Sequence, residues 1–152
     1  MSHLTFAALR AANCARLPLF KNAKGEIVHN HDGSDWSLSQ WTTAVLGELG
    51  ELANLIKKIE RKDFALDDTL TDPKTKEVMT YRAYVGKEAA DVACYLDILS
   101  YRLGVDLGDA IREKFNEVSR RVKAPIFIEH DGTVVQMYAW HQDTLYSPTV
   151  TP

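Results

Sequence analysis

The stretch WSLSQWTTAVLGELGELANLIKKIE, Trp36 to Glu60, decides how the rest of the chain is read. Ser37 suits a helix N-cap, and Gln40 three residues later completes a capping box. Trp36 precedes the cap and Trp41 takes the fourth helical position, the arrangement of a hydrophobic staple. Leu38, Trp41, Val45, Leu49, Leu52, Ile56 and Ile59 then advance by threes and fours. That spacing predicts an amphipathic helix running to about Arg61 with one apolar stripe.

The flanking segments extend the same theme. Leu4, Ala8, Ala11 and Ala15 lie on one side of a helix predicted over residues 3 to 16, which Pro18 closes. Residues 21 to 35 are polar and turn-rich and read as a loop, and residues 62 to 79 read as a polar connection. A third helix is predicted from Tyr81 to Leu103, with Val85, Ala89, Val92, Leu96, Leu99 and Leu103 as its stripe and Gly104 as its C-terminal cap. Asp106 can cap a fourth helix almost at once, so helices three and four are expected to be antiparallel neighbours. Leu107, Ile111, Phe115, Val118 and Val122 are its expected inward face. After Pro125, Ile126 to Glu129 and Thr133 to Tyr138 flank His130-Asp131-Gly132 as a small β-hairpin, and residues 147 to 152 read as a disordered tail. The expected class is an all-α helical bundle over residues 1–124, followed by a hairpin and tail over residues 125–152.

Bulk properties narrow the function. The 152 residues are 45% hydrophobic, enough for one core, and the net charge of -3 argues against a binder of nucleic-acid polymers. Cys14 and Cys94 lie far apart, with no zinc or disulfide spacing. No apolar run is long enough for a membrane span, and the N-terminus lacks the basic-then-apolar pattern of a signal peptide. A soluble, cytoplasmic protein is expected.

Two acid pairs carry the chemistry. Glu48 and Glu51 are three apart on helix two, and Glu88 and Asp91 are three apart on helix three, so each pair shares a helix face. Either pair alone is the ordinary mark of a solvated face. Glu48, however, lies between Val45 and Leu52, and Glu88 between Val85 and Val92, so both border the apolar seam. Four carboxylates converging across two packed helices would repel one another, and a divalent cation relieves that. All-oxygen ligation favours Mg²⁺, with Mn²⁺ as a substitute. A di-iron bundle needs a Glu-x-x-His step, and none of the five histidines falls within the three long helices.

These motifs resemble those of the MazG-like nucleotide pyrophosphohydrolases. The resemblance rests on Trp36 to Trp41 leading into Gly47 to Ile56, on Lys87 to Leu96, on Leu103 to Leu107 and on Lys114 to Arg121. It covers about residues 4 to 122, with Gly47 standing where many members have a second glutamate and a long connection between helices two and three. The resemblance implies an all-α NTP pyrophosphatase fold completed by a second subunit, as a homodimer or a dimer of dimers. It further implies cleavage of a nucleoside triphosphate to monophosphate and pyrophosphate, with Mg²⁺ held by Glu48, Glu51, Glu88 and Asp91. The related phosphoribosyl-ATP pyrophosphohydrolases are the alternative enzyme; a non-catalytic nucleotide-binding or dimerising helical module is the alternative of another class.

Further side chains are candidates for substrate contact. Glu48 or Glu51 can accept the proton of a metal-bound water. Lys114 lies between Ile111 and Val118 at a stripe position, with Arg121 seven residues on, and a cation there suits a phosphate. The competing reading is a lysine paired to a neighbouring acid. Asn116 resembles the family's helix-four asparagine. Trp36 and Trp41 can stack on a base, although the staple favours their packing on each other.

Overall fold

A computed structural model of the protein describes residues 4–73 and 75–136. The expectations for residue 3, Tyr138 and residues 147–152 lie outside these residues. Among the described residues the chain is mostly helical, with two small antiparallel strand pairs. It divides into two compact units, Met1–Leu107 and Gly108–Pro152. The fourth helix therefore groups with the hairpin that follows it.

In the first unit, α1 spans Phe6–Arg16, capped by the Thr5 hydroxyl, which accepts from the Ala8 amide at 3.1 Å. α2 spans Leu38–Glu60 and opens with the expected capping box: the Ser37 hydroxyl accepts from the Gln40 amide, and the Gln40 side chain accepts from the Ser37 amide. The staple forms as well, with the Trp36 and Trp41 rings 4.8 Å apart. α3 spans Tyr81–Arg102 and ends at Gly104 (φ 70°). The Gly104 amide donates to the Tyr101 carbonyl and the Val105 amide to the Ser100 carbonyl, a Schellman closure.

The core is small and centres on Leu17, Trp41 and Ile98, with Trp36, Tyr95 and Leu99 packed around them. Trp41 is fully enclosed, and its indole N–H donates to the Gly33 carbonyl at 2.9 Å. Glycine is required at position 33 twice over. Its φ is 66°, and a Cβ there would lie 3.0 Å from the Trp41 ring. The loop carrying it is tied by Asp35, which accepts from the Asn30 amide (2.7 Å) and from His29 Nδ1–H (2.8 Å), while the His29 ring packs between Phe20 and the two tryptophans.

A buried ion pair fixes α1 on α3. Asp97 is fully enclosed; Arg10 Nε and Nη2 donate to its Oδ1 at 3.0 and 2.8 Å, and Asn13 Nδ2 donates to its Oδ2 at 2.9 Å. α2 and α3 run antiparallel: Trp41 near the start of α2 approaches Tyr95 late in α3, and Phe64 beyond the end of α2 stacks on Tyr81 at the start of α3.

The connection between them is more than polar loop. It contains a strand pair, β1 (Thr69–Thr71) and β2 (Val78–Thr80), with Leu70 opposite Met79. Three-residue strands bracketed by Asp and Thr are too short for a period-two pattern to register. The buried Asp72 carboxylate braces the turn, accepting from the Thr75 amide and from Lys87 Nζ on α3, each at 3.1 Å. That carboxylate holds the Lys87 ammonium above its ordinary range, against a smaller desolvation effect.

The apolar stripes hold in part: Trp41 is buried and Val45, Leu52 and Ile59 on α2 and Val85, Val92 and Leu99 on α3 are half-buried, as expected, while other stripe residues are not. Leu38, Leu49 and Ile56 are 42%, 47% and 40% exposed, and Leu55 is buried instead. α3 exposes Leu96 and Leu103 and buries Glu88, Asp97, Ile98 and Ser100. In the second unit α4 spans Leu107–Arg121, with Ile111, Phe115 and Val122 exposed and Asn116 and Ser119 buried. The cause is the hairpin β3 (Ile126–Ile128) and β4 (Val134–Gln136), an antiparallel pair with Phe127 opposite Val135. Asn116 Nδ2 donates to the Ile128 carbonyl at 2.8 Å and its Oδ1 accepts the Ile128 amide at 2.9 Å, which turns that side of α4 toward the strands. Among the described residues no helix is long and apolar enough to cross a membrane.

Two stability experiments follow from these contacts. Asp97→Ala leaves Arg10 and Asn13 without their acceptor, and chemical denaturation should show a loss of about 3 kcal/mol; a loss under 1 kcal/mol would mean the pair is not a principal tie. Burial works to raise the Asp35 carboxyl, but the Asn30 amide and His29 outweigh it and hold the group below its ordinary value of 3.8. A lowered folded-state pKa contributes stability that is complete above the ordinary value and is lost as pH falls through the folded one. Asp35→Asn should therefore cost about 1 kcal/mol at pH 7, and the gap to wild type should close on acidification below 3.8. A gap independent of pH would exclude ionisation as its source.

Candidate metal centre

The long, doubly secured α2 and the buried face of α3 bring three acids together. Glu48, Glu51 and Glu88 each offer a carboxylate oxygen, and these oxygens all lie within 4.8 Å of one another. Glu48 and Glu51 are successive on one face of α2, and Glu88 meets them from α3. Burial is graded across the cluster: Glu88 is 4% exposed, Glu48 is half-buried, and Glu51 is exposed. The cluster is thus closed at its floor and open at Glu51.

The donor set fits a hard divalent cation. An octahedral ion with 2.0–2.1 Å bonds sets its ligand oxygens about 2.9 Å apart when adjacent and about 4.2 Å when opposite, so three oxygens within 4.8 Å of one another close onto it by at most about 2 Å, within the reach of glutamate side chains. Carboxylates alone suit Mg²⁺, Mn²⁺ or Ca²⁺, since zinc and copper sites recruit imidazole or thiolate. Repulsion among three adjacent acids, one of them buried, works in the same direction. Asp91 is exposed one turn beyond Glu88 and stands outside the group of three. Its side chain is one methylene shorter than those of the three glutamates. Lys87, next to Glu88 in sequence, is directed away, its ammonium committed to Asp72 (3.1 Å) and Glu77 (3.5 Å).

The other expected site residues lie elsewhere. Lys114, Asn116 and Arg121 belong to the second unit. Lys114 was expected on the inward face of α4; its side chain is 64% exposed and pairs with Glu117 at 2.6 Å, because α4 buries the side bearing Asn116 and Ser119. That lysine lowers the Glu117 carboxyl. Both ends of the Asn116 amide are taken by the Ile128 backbone, and Arg121 is exposed. Trp41 is wholly enclosed in the core, and Trp36 packs on it.

Sequence reasoning passed over the polar groups that position the site. Asp97 carried a signal: it falls beside Leu96 in the third helix, and an acid enclosed there requires a donor such as Arg10 or Asn13, both on the first helix. His29–Asp35 and Asp72–Lys87 are loop contacts with no periodic signature.

No protein-family model, curated protein or solved structure matches this chain.

The metal reading is open to a direct test by thermal and chemical unfolding. Mg²⁺ at a hundred times its Kd should stabilise the protein by about 2.7 kcal/mol. Glu88→Gln, which preserves volume, and Glu51→Ala should abolish the gain. Equal stabilisation of wild type and both variants would place the ion elsewhere.

Proposed function

We propose that the chain is a Mg²⁺-dependent nucleoside triphosphate pyrophosphohydrolase, with Mn²⁺ as a substitute ion. The observation that carries this reading is the convergence of Glu48, Glu51 and Glu88 from two helices, with a buried floor and an open edge. The resemblance of the surrounding motifs to MazG-like enzymes points the same way. Asp91, one turn beyond Glu88, is the proposed fourth ligand, recruited when an ion draws the acids together.

A bound divalent ion supplies charge neutralisation for the phosphates and acidifies a water. The residues do the rest. Glu88, held in the interior, fixes the depth of the site; Glu48 completes the grip from α2. Glu51, at the solvent edge, takes the proton of the water that attacks the α-phosphorus. A P–O bond forms to that water, the bond from the α-phosphorus to the oxygen that bridges it to the β-phosphorus breaks, and pyrophosphate leaves with that oxygen and the electron pair. Phosphoanhydride hydrolysis depends chiefly on positioning and charge, which an acid cluster held between two packed helices supplies.

The proposed active species is a homodimer or dimer of dimers acting on small nucleotides in the cytoplasm, clearing unwanted nucleotides from the pool. Leu46 and Leu49, 61% and 47% exposed on α2, suit contact with a second copy. The experiment is release of monophosphate and pyrophosphate from a panel of ribo- and deoxynucleoside triphosphates, with Mg²⁺ and with chelator. Metal-dependent release that falls at least 100-fold in Glu48→Ala, Glu51→Ala and Glu88→Ala is the expected result. If no triphosphate is cleaved but phosphoribosyl-ATP is, the related enzyme is the better description. If nothing is cleaved, the chain is a binding or dimerising module.

A further inference from the structure

The α2–α3 connection lines an open surface groove of about 680 Å³, within the roughly 300–1,000 Å³ range of small-molecule sites. Ile59, Phe64 and Leu66 make its apolar wall, and Asp67, Asp68 and Arg82 are its polar groups. Phe64 is backed by Tyr81, the two rings parallel within 10° and 3.5 Å apart between centroids. The wall is built before any ligand arrives. The Tyr81 and Arg82 amides, which α3 itself leaves unsatisfied, donate to the Asp68 and Leu66 carbonyls at 3.0 and 2.8 Å. The Ala65 amide donates to Asp68 Oδ2 at 2.7 Å, and Arg82 donates to Asp67 Oδ1 at 3.0 Å.

The groove is aligned with the carboxylates. Glu51, Leu55 and Ile59 succeed one another along one face of α2, and Glu88, Tyr84 and Tyr81 do so on α3. Eight residues of helix separate Glu51 from Ile59 and six separate Glu88 from Arg82, about 12 and 9 Å. That is the scale on which a nucleoside extends from its α-phosphate. The carboxylates of Asp67 and Asp68 repel phosphate, so this end takes an uncharged group. A flat ring with donors and acceptors on its edge meets the aromatic wall and the Asp–Arg rim together.

We propose that the α2–α3 connection is the nucleobase pocket of the enzyme, with Phe64, backed by Tyr81, as the stacking surface and Asp68 and Arg82 as the groups that read the base edge. This rests on the proposed pyrophosphohydrolase reading, and the experiment separates the two. The ratio of kcat/KM for each nucleoside triphosphate to that for ribose 5-triphosphate, which lacks only the base, is measured for wild type, Phe64→Leu and Phe64→Trp. Phe64→Leu should lower the ratio about 5- to 100-fold, mainly through KM, and Phe64→Trp should restore it. An unchanged ratio overturns the pocket while leaving the hydrolase reading in place. The second arm needs no catalysis: nucleoside monophosphates are titrated without metal while the Phe64 and Tyr81 ring resonances are followed by NMR. Saturable shifts that vanish in Phe64→Leu support the pocket even if no triphosphate is cleaved. Shifts confined to other residues overturn it.

Discussion

Asp97 is fully enclosed on α3 and has to remain paired, because an isolated carboxylate in that position would be strongly unfavourable. Arg10 and Asn13 meet it from one face of α1, and four charge-assisted hydrogen bonds set the position of that helix. Ile98, the next residue, enters the core beside Leu17 and Trp41. Trp41 in turn fixes the start of α2 and the loop that crosses it at Gly33. With both ends of the α2–α3 pair set, by Trp41 against Tyr95 and Phe64 against Tyr81, the middle of each helix has one register left, and in it Glu88 faces Glu48 and Glu51.

The interior is unusually polar for its size. Among the described residues, Asn13, Asp72, Glu88, Asp97, Ser100, Asn116 and Ser119 are buried, against Leu17, Trp41, Leu55, Ile98 and Phe127. Hydrogen bonding therefore carries much of the specificity here, and hydrophobic burial alone would tolerate several helix rotations. α4 illustrates the point. Its apolar residues predict one inward face, yet the two hydrogen bonds exchanged between the Asn116 side chain and the Ile128 backbone select another.

The connection between α2 and α3 joins structure to chemistry. It closes the first turn of α3 with backbone carbonyls, holds Asp72 against Lys87, and stacks Phe64 on the first residue of the helix that carries Glu88. Any shift of this segment moves the helix that supplies the floor of the acid cluster.

What the sequence determined by itself was local: the capping box at Ser37 and Gln40, the staple of Trp36 on Trp41, the turn at Gly104, and the hairpin after Pro125. Each depends on residues within a few positions of one another, and the steric and hydrogen-bonding rules at that range leave few alternatives. The pairing of acids along each helix was legible for the same reason. Which acids meet was decided only in three dimensions: Glu48, Glu51 and Glu88 converge while Asp91 stays outside, and Asp97, without a partner nearby in sequence, finds Arg10 eighty-seven residues away. Helix periodicity defines faces but leaves the rotation of one helix against another open, and that rotation is settled by the buried polar groups that must find partners.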